Sequence, residues 1–411
     1  MENNTKQLTA RCCIAGGGPA GMMLGYLLAR AGVDVVVLEK HKDFFRDFRG
    51  DTIHPSTFQI MAELGLLDEF LKVPHQEVKL LAAQFNEVEV PIADFTHLPV
   101  AHPVLGIMPQ WDFLNFLATE GKKYAGFHLV MEAGVTGLVK EGGRVTGVTA
   151  QTPDGLLEVK AGLVVGTDGR GSVVREKAGL HVITTGAPID VLWFRLSSRD
   201  GDPPAAFGRF YNGRIMVLIE RGDYWQCGYV IEKDGYDEIK KKGLDAFRKE
   251  LRDVSPFLGD RVTELKDWND ISLLRVTIDH LEKWCGDGVL CIGDAAHAMS
   301  PVGGVGINLA VQDAVASANI LYTSLLTDGP VAVSVLKKVQ QRRAFPTWVI
   351  QRMQVFIQNG VITRHQQQER AKMPFFFKML RKWPVLRRIP ARIVGMGVRP
   401  EHIKTPDCNL K

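Results

Sequence analysis

Short unbroken apolar runs alternate along the chain with longer stretches of helical spacing, and glycine-rich turns join the two. Residues 11–15 read as a buried strand, 16–21 as a glycine-rich turn, 22–31 as a helix closed by Gly32, and 33–38 as a β-branched strand ending at Glu39. A helix is predicted over 55–64 and a strand entering a helix over 163–175. Residues 289–292 form another apolar strand, and an alanine-rich helix bearing Asp313 follows Asn308. In the middle of the chain the period changes. Residues 189–196, 206–211, 214–219 and 224–231 read as successive strands, with Asn212-Gly213 as a hairpin turn. The pattern predicts an α/β protein with an inserted, mostly antiparallel sheet.

Composition narrows this only a little. A chain of 411 residues that is 45% hydrophobic and 23% charged can build two or three packed domains. A net charge of +4 does not point to a nucleic-acid partner. The start, residues 1–11, is polar and mixed in charge, and no window offers 18 consecutive apolar residues, so neither export nor a membrane span is expected. Cys12, Cys13, Cys227, Cys285, Cys291 and Cys408 form no CxxC pair. They read as reduced, buried thiols of a cytoplasmic protein, with no metal site.

The opening strand–turn–helix–strand carries the first chemistry. Gly16 permits the tight turn, Gly18 lets the backbone approach a diphosphate, and Gly21 lets helix and strand pack closely. Exposed N–H groups and the helix dipole favour phosphates there. Pro19, Ala20 and Lys40 flank these positions and are counted with the cofactor-binding residues. Glu39 suits ribose hydroxyls and repels a 2′-phosphate, which argues against NADP; FAD and NAD both stay open on this unit alone.

Two later motifs bear on that choice. Residues 163–175 contain Asp168-Gly169-Arg170-Gly171, and residues 289–297 contain Gly293-Asp294-Ala295-Ala296-His297, continuing through Pro301-Val302-Gly303-Gly304-Val305-Gly306-Ile307-Asn308. Asp294 ends a buried strand beside a glycine, where a carboxylate can meet a polyol. The 303–308 turn exposes backbone N–H groups at a helix start, a positive end that suits a heterocycle becoming anionic on reduction.

With these residues the chain resembles the class A flavin-dependent aromatic hydroxylases, the family of para-hydroxybenzoate hydroxylase. All three signatures occur in the family order, over residues 11 to about 321. The resemblance implies a Rossmann-like FAD-binding domain with Glu39 on the adenosine ribose, Asp294 on the ribityl chain, and Gly304, Val305, Gly306, Ile307 and Asn308 at the isoalloxazine edge, with Pro301 beside it. It implies that Asp168 serves flavin and nicotinamide alike, and that Arg49, with Arg46 as competitor, and Gln110 contact the diphosphate–ribityl region. Many members carry glutamine where this chain has Val305. The expected division is an FAD domain from 1–75, 105–185 and 276–335, a substrate sheet from 76–104 and 186–275, and a helical region from 336–411.

The reaction implied is hydride transfer from NADH or NADPH to FAD, addition of O2 at the flavin C4a, and transfer of the terminal oxygen to an aromatic or other electron-rich molecule. No side chain is assigned as a catalytic nucleophile or base. His297 is expected to pack and hydrogen-bond, and His54 either to face the active site or to start the 55–64 helix. Trp193, Arg195, Phe210, Tyr211, Trp225 and Tyr229 are candidates for lining an aromatic pocket, although strand aromatics are more often core. The tail 372–399 mixes Phe375, Phe376, Phe377, Trp383 and Ile393 with Lys378, Arg381, Lys382, Arg387, Arg388 and Arg392 and carries no acid. It reads either as helices packed on the flavin domain, the favoured expectation, or as a surface for an anionic membrane or a lipid-like substrate. Pro374, Pro384 and Pro390 are expected to divide it. The same fold serves isoprenoid reductases and halogenases, but the halogenase signature Trp-x-Trp-x-Ile-Pro is missing; a non-catalytic flavin-bound ligand binder is a third reading.

Overall fold

The computed structural model describes residues 5–45, 51–202, 208–359 and 373–410. Its first layer is a sheet in which Val289–Cys291, Gly155–Gly166, Lys6–Ala15, Val35–Leu38 and Phe127–Val130 run side by side, all in parallel pairs. These strands are apolar on both faces because helices cover both sides. Helix Pro19–Arg30 follows the first strand, and of its residues Ala20 to Arg30 are all buried. The first strand begins at Lys6, earlier than expected, because its polar half pairs with Leu157–Ala161 at the sheet margin. An antiparallel pair, Gly134–Glu141 and Arg144–Thr152, extends the edge of Gly155–Gly166.

The second sheet runs in the order Ser272–Leu274, Ile189–Ser197, Tyr224–Glu232, Arg214–Glu220, Gly208–Tyr211, Leu80–Phe85, Val88–Asp94. Asn212 and Gly213 both take positive φ, 44° and 80°, at the tight turn expected of that pair. Its two faces have different partners. Leu192, Phe194, Leu196, Met216, Leu218, Trp225, Cys227 and Tyr229 pack on the helix Leu244–Val254. Val191, Trp193, Ile215, Ile219 and Val230 face the other way, toward Phe95, Ile107, Ala391, Met396 and Val302. That second face looks onto the glycine loop after Pro301.

The C-terminal region folds back over both layers. Helix Val333–Ile357 packs against helix Gly306–Leu326, and helix Arg388–Met396 lies on the hairpin strand Val88–Asp94 and on helix Pro55–Glu63. The final residues return to the first helix, where the Arg30 guanidinium donates to the Thr405 and Pro406 carbonyls at 3.0 and 3.1 Å. Two expectations are corrected. Pro390 does not divide the tail: it sits in the first turn of Arg388–Met396, where a missing N–H costs nothing. Cys408 is exposed, whereas the other five thiols are buried. Among the described residues no helix is long and apolar enough to cross a membrane.

One buried carboxylate holds the second sheet to its connections. Asp190, fully buried, accepts from Lys233 Nζ at 2.8 Å, the Asp234 N–H at 3.0 Å and the Val276 N–H at 2.8 Å. Replacing Asp190 with Ala leaves those donors without their acceptor and is expected to cost about 2–3 kcal/mol, read as a lowered midpoint in urea. An unchanged midpoint would mean that the three contacts contribute nothing net.

Candidate functional site

The glycines of the first turn separate into two kinds. A Cβ on Gly16, whose φ is +108°, would meet the Thr167 carbonyl oxygen at 2.6 Å, and one on Gly21 would meet the Gly16 carbonyl oxygen at 2.0 Å. Packing alone demands glycine at both. A Cβ on Gly18 would meet nothing within 4 Å, and its φ of −75° is open to any residue. Gly18 caps the helix that starts at Pro19, with no side chain capping it, so the open space lies against free N-terminal amides. Those residues fit the diphosphate of an FAD. Ala20 is buried one residue on, and Lys40 is exposed. Glu39 closes the cradle: its carboxylate accepts from the Gly17 N–H at 3.0 Å and the His41 N–H at 3.1 Å.

The second and third motifs meet at the ends of adjacent strands. Asp168 accepts from Ser172 Oγ at 2.5 Å and from the Val174 N–H at 3.1 Å, so its carboxylate shapes the turn into helix Val173–Lys177. Asp294 is partly exposed and receives Arg170 Nε at 3.2 Å. Asp313 is fully buried. It accepts from the Gly293 N–H at 3.1 Å and from Arg343 Nε at 2.8 Å, and meets His297 Nε2 at 2.5 Å. Burial alone would raise the Asp313 carboxyl, but His297 and then Arg343 hold it below the ordinary carboxylate range. His297 also lies against the Trp284 ring at 5.0 Å. Its contacts are the packing and hydrogen bonding expected of it.

The loop after Pro301 is held from three sides. Gly304, at φ +62°, leaves no room for a Cβ, which would meet Thr52 Oγ1 at 2.3 Å. Its carbonyl accepts from Thr52 Oγ1 at 2.6 Å and faces His54 Nε2 at 3.0 Å. From the long C-terminal helix, Gln351 Nε2 reaches the Ala298 carbonyl at 2.9 Å and Gln354 Nε2 reaches the Ser300 and Val302 carbonyls, both at 2.9 Å. Val305 and Ile307 are buried, and Asn308 is fixed by Ser56 Oγ at 2.5 Å. Helix Gly306–Leu326 starts without a side-chain cap or an acid in its first turn, and a Cβ on Gly306 would meet nothing within 4 Å. That positive end fits an isoalloxazine edge.

His54 takes the helix-entry place, and its ring holds backbone. It caps helix Pro55–Glu63, and its fully buried ring bridges the Gly304 carbonyl and, through Nδ1 at 2.8 Å, the Val394 carbonyl. Two carbonyls can only accept, so a neutral ring satisfies one of them at a time. Gln110 begins helix Gln110–Gly121, near the Phe45–Trp111 ring contact of 4.8 Å. Arg49 and Arg46 lie outside the described residues.

The aromatic candidates do not converge. Trp193 and Phe210 lie on the sheet face toward the glycine loop, Phe210 stacking on Phe85 at 4.5 Å. Trp225 and Tyr229 point to the opposite face, where Trp225 Nε1 donates to Asp202 at 2.7 Å and Tyr229 Oη to Glu250 at 3.0 Å; Tyr211 packs on that core too. Arg195 is exposed, its guanidinium 4.7 Å from the Tyr224 ring centre. Strand alternation is the cause: even-numbered neighbours of Trp225 face the glycine loop. Gln226 is one of them. It donates to Asp51 at 2.7 Å, and Arg221 pairs with the same carboxylate at 2.6 Å, clamping the second sheet to the segment before Thr52. Asp51, Arg221 and Gln226 are missing from the sequence reading. Alternation places Gln226 on that face, but nothing local pairs Asp51 with a residue 170 positions on.

The tail packs through Phe377, Leu380, Ala391 and Met396. Its outer side leaves Phe375, Phe376, Trp383, Val385 and Ile389 exposed.

Known proteins resemble this chain in sequence and fold. A family model described as FAD binding domain matches residues 9–352. The chain is 32% identical over 315 residues to a 6-methylpretetramide 4-monooxygenase of Streptomyces rimosus, covering 76% of this chain and 75% of that protein. It is 26% identical to a dialkyldecalin synthase of Streptomyces rugosporus, covering 74% of this chain and 63% of that one, so it spans less than two thirds of that relative. Among solved structures, the anhydrotetracycline hydroxylase OxyS of Streptomyces rimosus superposes with a TM-score of 0.75 at 22% identity, over 95% of this chain and 77% of the other.

The glycine geometry predicts a split between two variants. Gly18→Val is expected to fold with an unchanged melting temperature yet bind FAD at least about tenfold more weakly, since a side chain fills the space a diphosphate needs. Gly21→Val is expected to lose the fold itself. Equal FAD binding by a folded Gly18→Val protein would refute the assignment of that space.

His54 predicts a pH effect. Burial pushes its pKa below the usual 6.5, against its contacts to Gly304 and Val394. The unfolded chain then takes up a proton before the folded one does, so stability present above pH 6.5 is lost as pH falls below it. Wild type is expected to lose more stability between about pH 7 and 5 than His54→Gln does. Parallel losses in the two proteins would exclude His54 as the titrating group.

Proposed function

The chain belongs to the FAD binding domain family as a class A flavin-dependent monooxygenase, and from that membership we propose that it hydroxylates an aromatic or similarly electron-rich small molecule with NADH or NADPH and O2. The observation that carries this reading is the placement of the Gly303–Gly304 turn. It is held rigid by Thr52, His54 and Gln354, and it faces the apolar side of the second sheet, where Trp193, Ile215, Ile219 and Val230 meet Val302. When bound, FAD supplies hydride acceptance from the nicotinamide and activation of oxygen for transfer.

The protein's part is to bind, orient and exclude water. Gly16 to Gly21 and Glu39 would hold the adenosine diphosphate, with Lys40 at its margin and Asp168 keeping the adjoining turn in shape. Asp294 and Gln110 would take the ribityl chain, with Arg49 as the expected cation beside it. The free amides of Gly306 and Ile307 would support negative charge on the ring's edge. The clamp of Asp51, Arg221 and Gln226 keeps the sheet seated over the loop, and apolar walls keep water from the oxygen-activating site. Relatives named for pretetramide and tetracycline hydroxylation make a fused-ring phenol the first substrate class to test.

A second reading is oxygenation or reduction of a lipid-like, isoprenoid substrate at a membrane surface. The exposed Phe375, Phe376 and Trp383 beside Lys378, Arg381 and Lys382 favour it. One assay separates these. Flavin-loaded protein is given NADH or NADPH with fused-ring phenols, simple phenols, quinolones or prenylated quinones, with and without anionic vesicles, while reductant and oxygen are followed. Hydroxylation is expected to show substrate-stimulated loss of both, with one atom of labelled O2 in the product. Reductant loss without oxygen uptake would replace it with a reductase, and no stimulation by any class would favour a ligand binder.

A further inference from the structure

One side-chain cluster lies outside everything assigned above. His75, Glu77 and His102 bring one imidazole nitrogen each and a carboxylate oxygen within 4.8 Å of one another. Glu77 belongs to strand Gln76–Val78, which pairs antiparallel with Leu105–Ile107, Glu77 opposite Gly106. His75 immediately precedes that strand, and His102 lies in the approach to its partner. The short sheet therefore delivers all three to one edge.

The hydrogen bonding of His75 already orients it as a metal ligand. His75 Nδ1 lies 2.7 Å from the Val73 carbonyl, which can only accept, so that nitrogen carries the hydrogen. The neutral ring then presents a lone pair at Nε2. That atom is buried on a side chain only 7% exposed, and it makes no hydrogen bond among the described residues. Its nearest polar neighbour is Glu77 Oε1 at 3.8 Å, and the same oxygen is 2.8 Å from His102 Nε2. Ligands about 2.0–2.1 Å from a tetrahedral ion stand roughly 3.3 Å apart, so these separations bracket the required edge. Phe58 lies against both rings, with centres at 6.0 Å from His75 and 5.0 Å from His102, and limits how far either can turn. A carbonyl bonded to the non-ligating nitrogen is the usual outer support of a metal-bound histidine.

We propose that His75, Glu77 and His102 bind one divalent transition-metal ion of the zinc class, with water completing the coordination. Two imidazoles and one carboxylate select that class over magnesium or calcium, which take oxygen ligands. The ion would staple the start of strand Gln76–Val78 to the segment before Leu105–Ile107, both against the helix that His54 caps.

The test uses flavin-loaded protein stripped with a chelator and desalted. Zn(II) is titrated against a chromophoric zinc indicator, and Co(II) is added separately to read the visible bands of a four-coordinate site. Wild type is expected to take one equivalent, to show those bands, and to melt at a higher temperature with Zn(II) than without. Glu77→Gln and His102→Asn, both at partly exposed side chains, are expected to weaken binding at least about tenfold and to lose the thermal shift, with metal-free melting close to wild type. Failure of wild type to bind one equivalent would overturn the proposal. So would equal binding by both variants, which would place the ion elsewhere, for instance at the exposed Cys408.

Discussion

A carboxylate removed from water loses several kcal/mol of hydration unless charged and hydrogen-bonded partners replace it. Asp313 is placed where that replacement comes from two separate parts of the chain: the Gly293 N–H and the His297 ring, both just after a sheet strand, and the Arg343 guanidinium of the long C-terminal helix. Arg343 also reaches Glu401, 3.4 Å away, whose own N–H donates to Gln312 on the Asp313 helix at 2.5 Å. One buried charge therefore fixes the strand end that presents Asp294, the helix that follows the glycine loop, and the tail that covers both. Removing Arg343 would leave the Asp313 carboxylate dry with one donor fewer, which is the costly case for a buried charge.

The long helix extends that constraint along the loop. Gln351, Gln354 and Gln358 recur at helical spacing on one face and bond to Ala298, Ser300 and Val302 or the Ser300 hydroxyl. A glycine-rich loop has no side chains with which to hold itself. Here its carbonyls are gripped by amides on one side and by Thr52 and His54 on the other. Such a loop can keep its amides pointed at a ligand without reorganising when the ligand arrives, which is what electrostatic stabilisation of developing charge requires.

The parallel sheet was legible in the sequence because strands buried on both faces read as short apolar runs, and glycines with a structural duty punctuate them. The hairpin at Asn212-Gly213 was legible for the same local reason. The aromatic candidates show where legibility stops. Trp225 and Tyr229 sit on a strand whose period of two sends them to one face and Gln226 to the other. An aromatic residue is equally at home on either, so composition could not say which face meets the glycine loop. Gln226 reveals it only through Asp51, and Arg343 only through Asp313, because partners so distant in sequence leave no local trace.

The glycines carry the argument one step further. Every glycine in a cofactor motif looks alike in sequence, yet Gly16, Gly21 and Gly304 are required by the protein's own backbone and side chains, whereas Gly18 and Gly306 border empty space. A position at the uncapped start of a helix that nothing in the chain forces to be small leaves its amides open to a ligand. Gly18 and Gly306 stand at the starts of two different helices, Pro19–Arg30 and Gly306–Leu326, which pack against each other. An elongated dinucleotide whose diphosphate met one helix start and whose ring met the other would account for both openings together, whereas a mononucleotide would account for one.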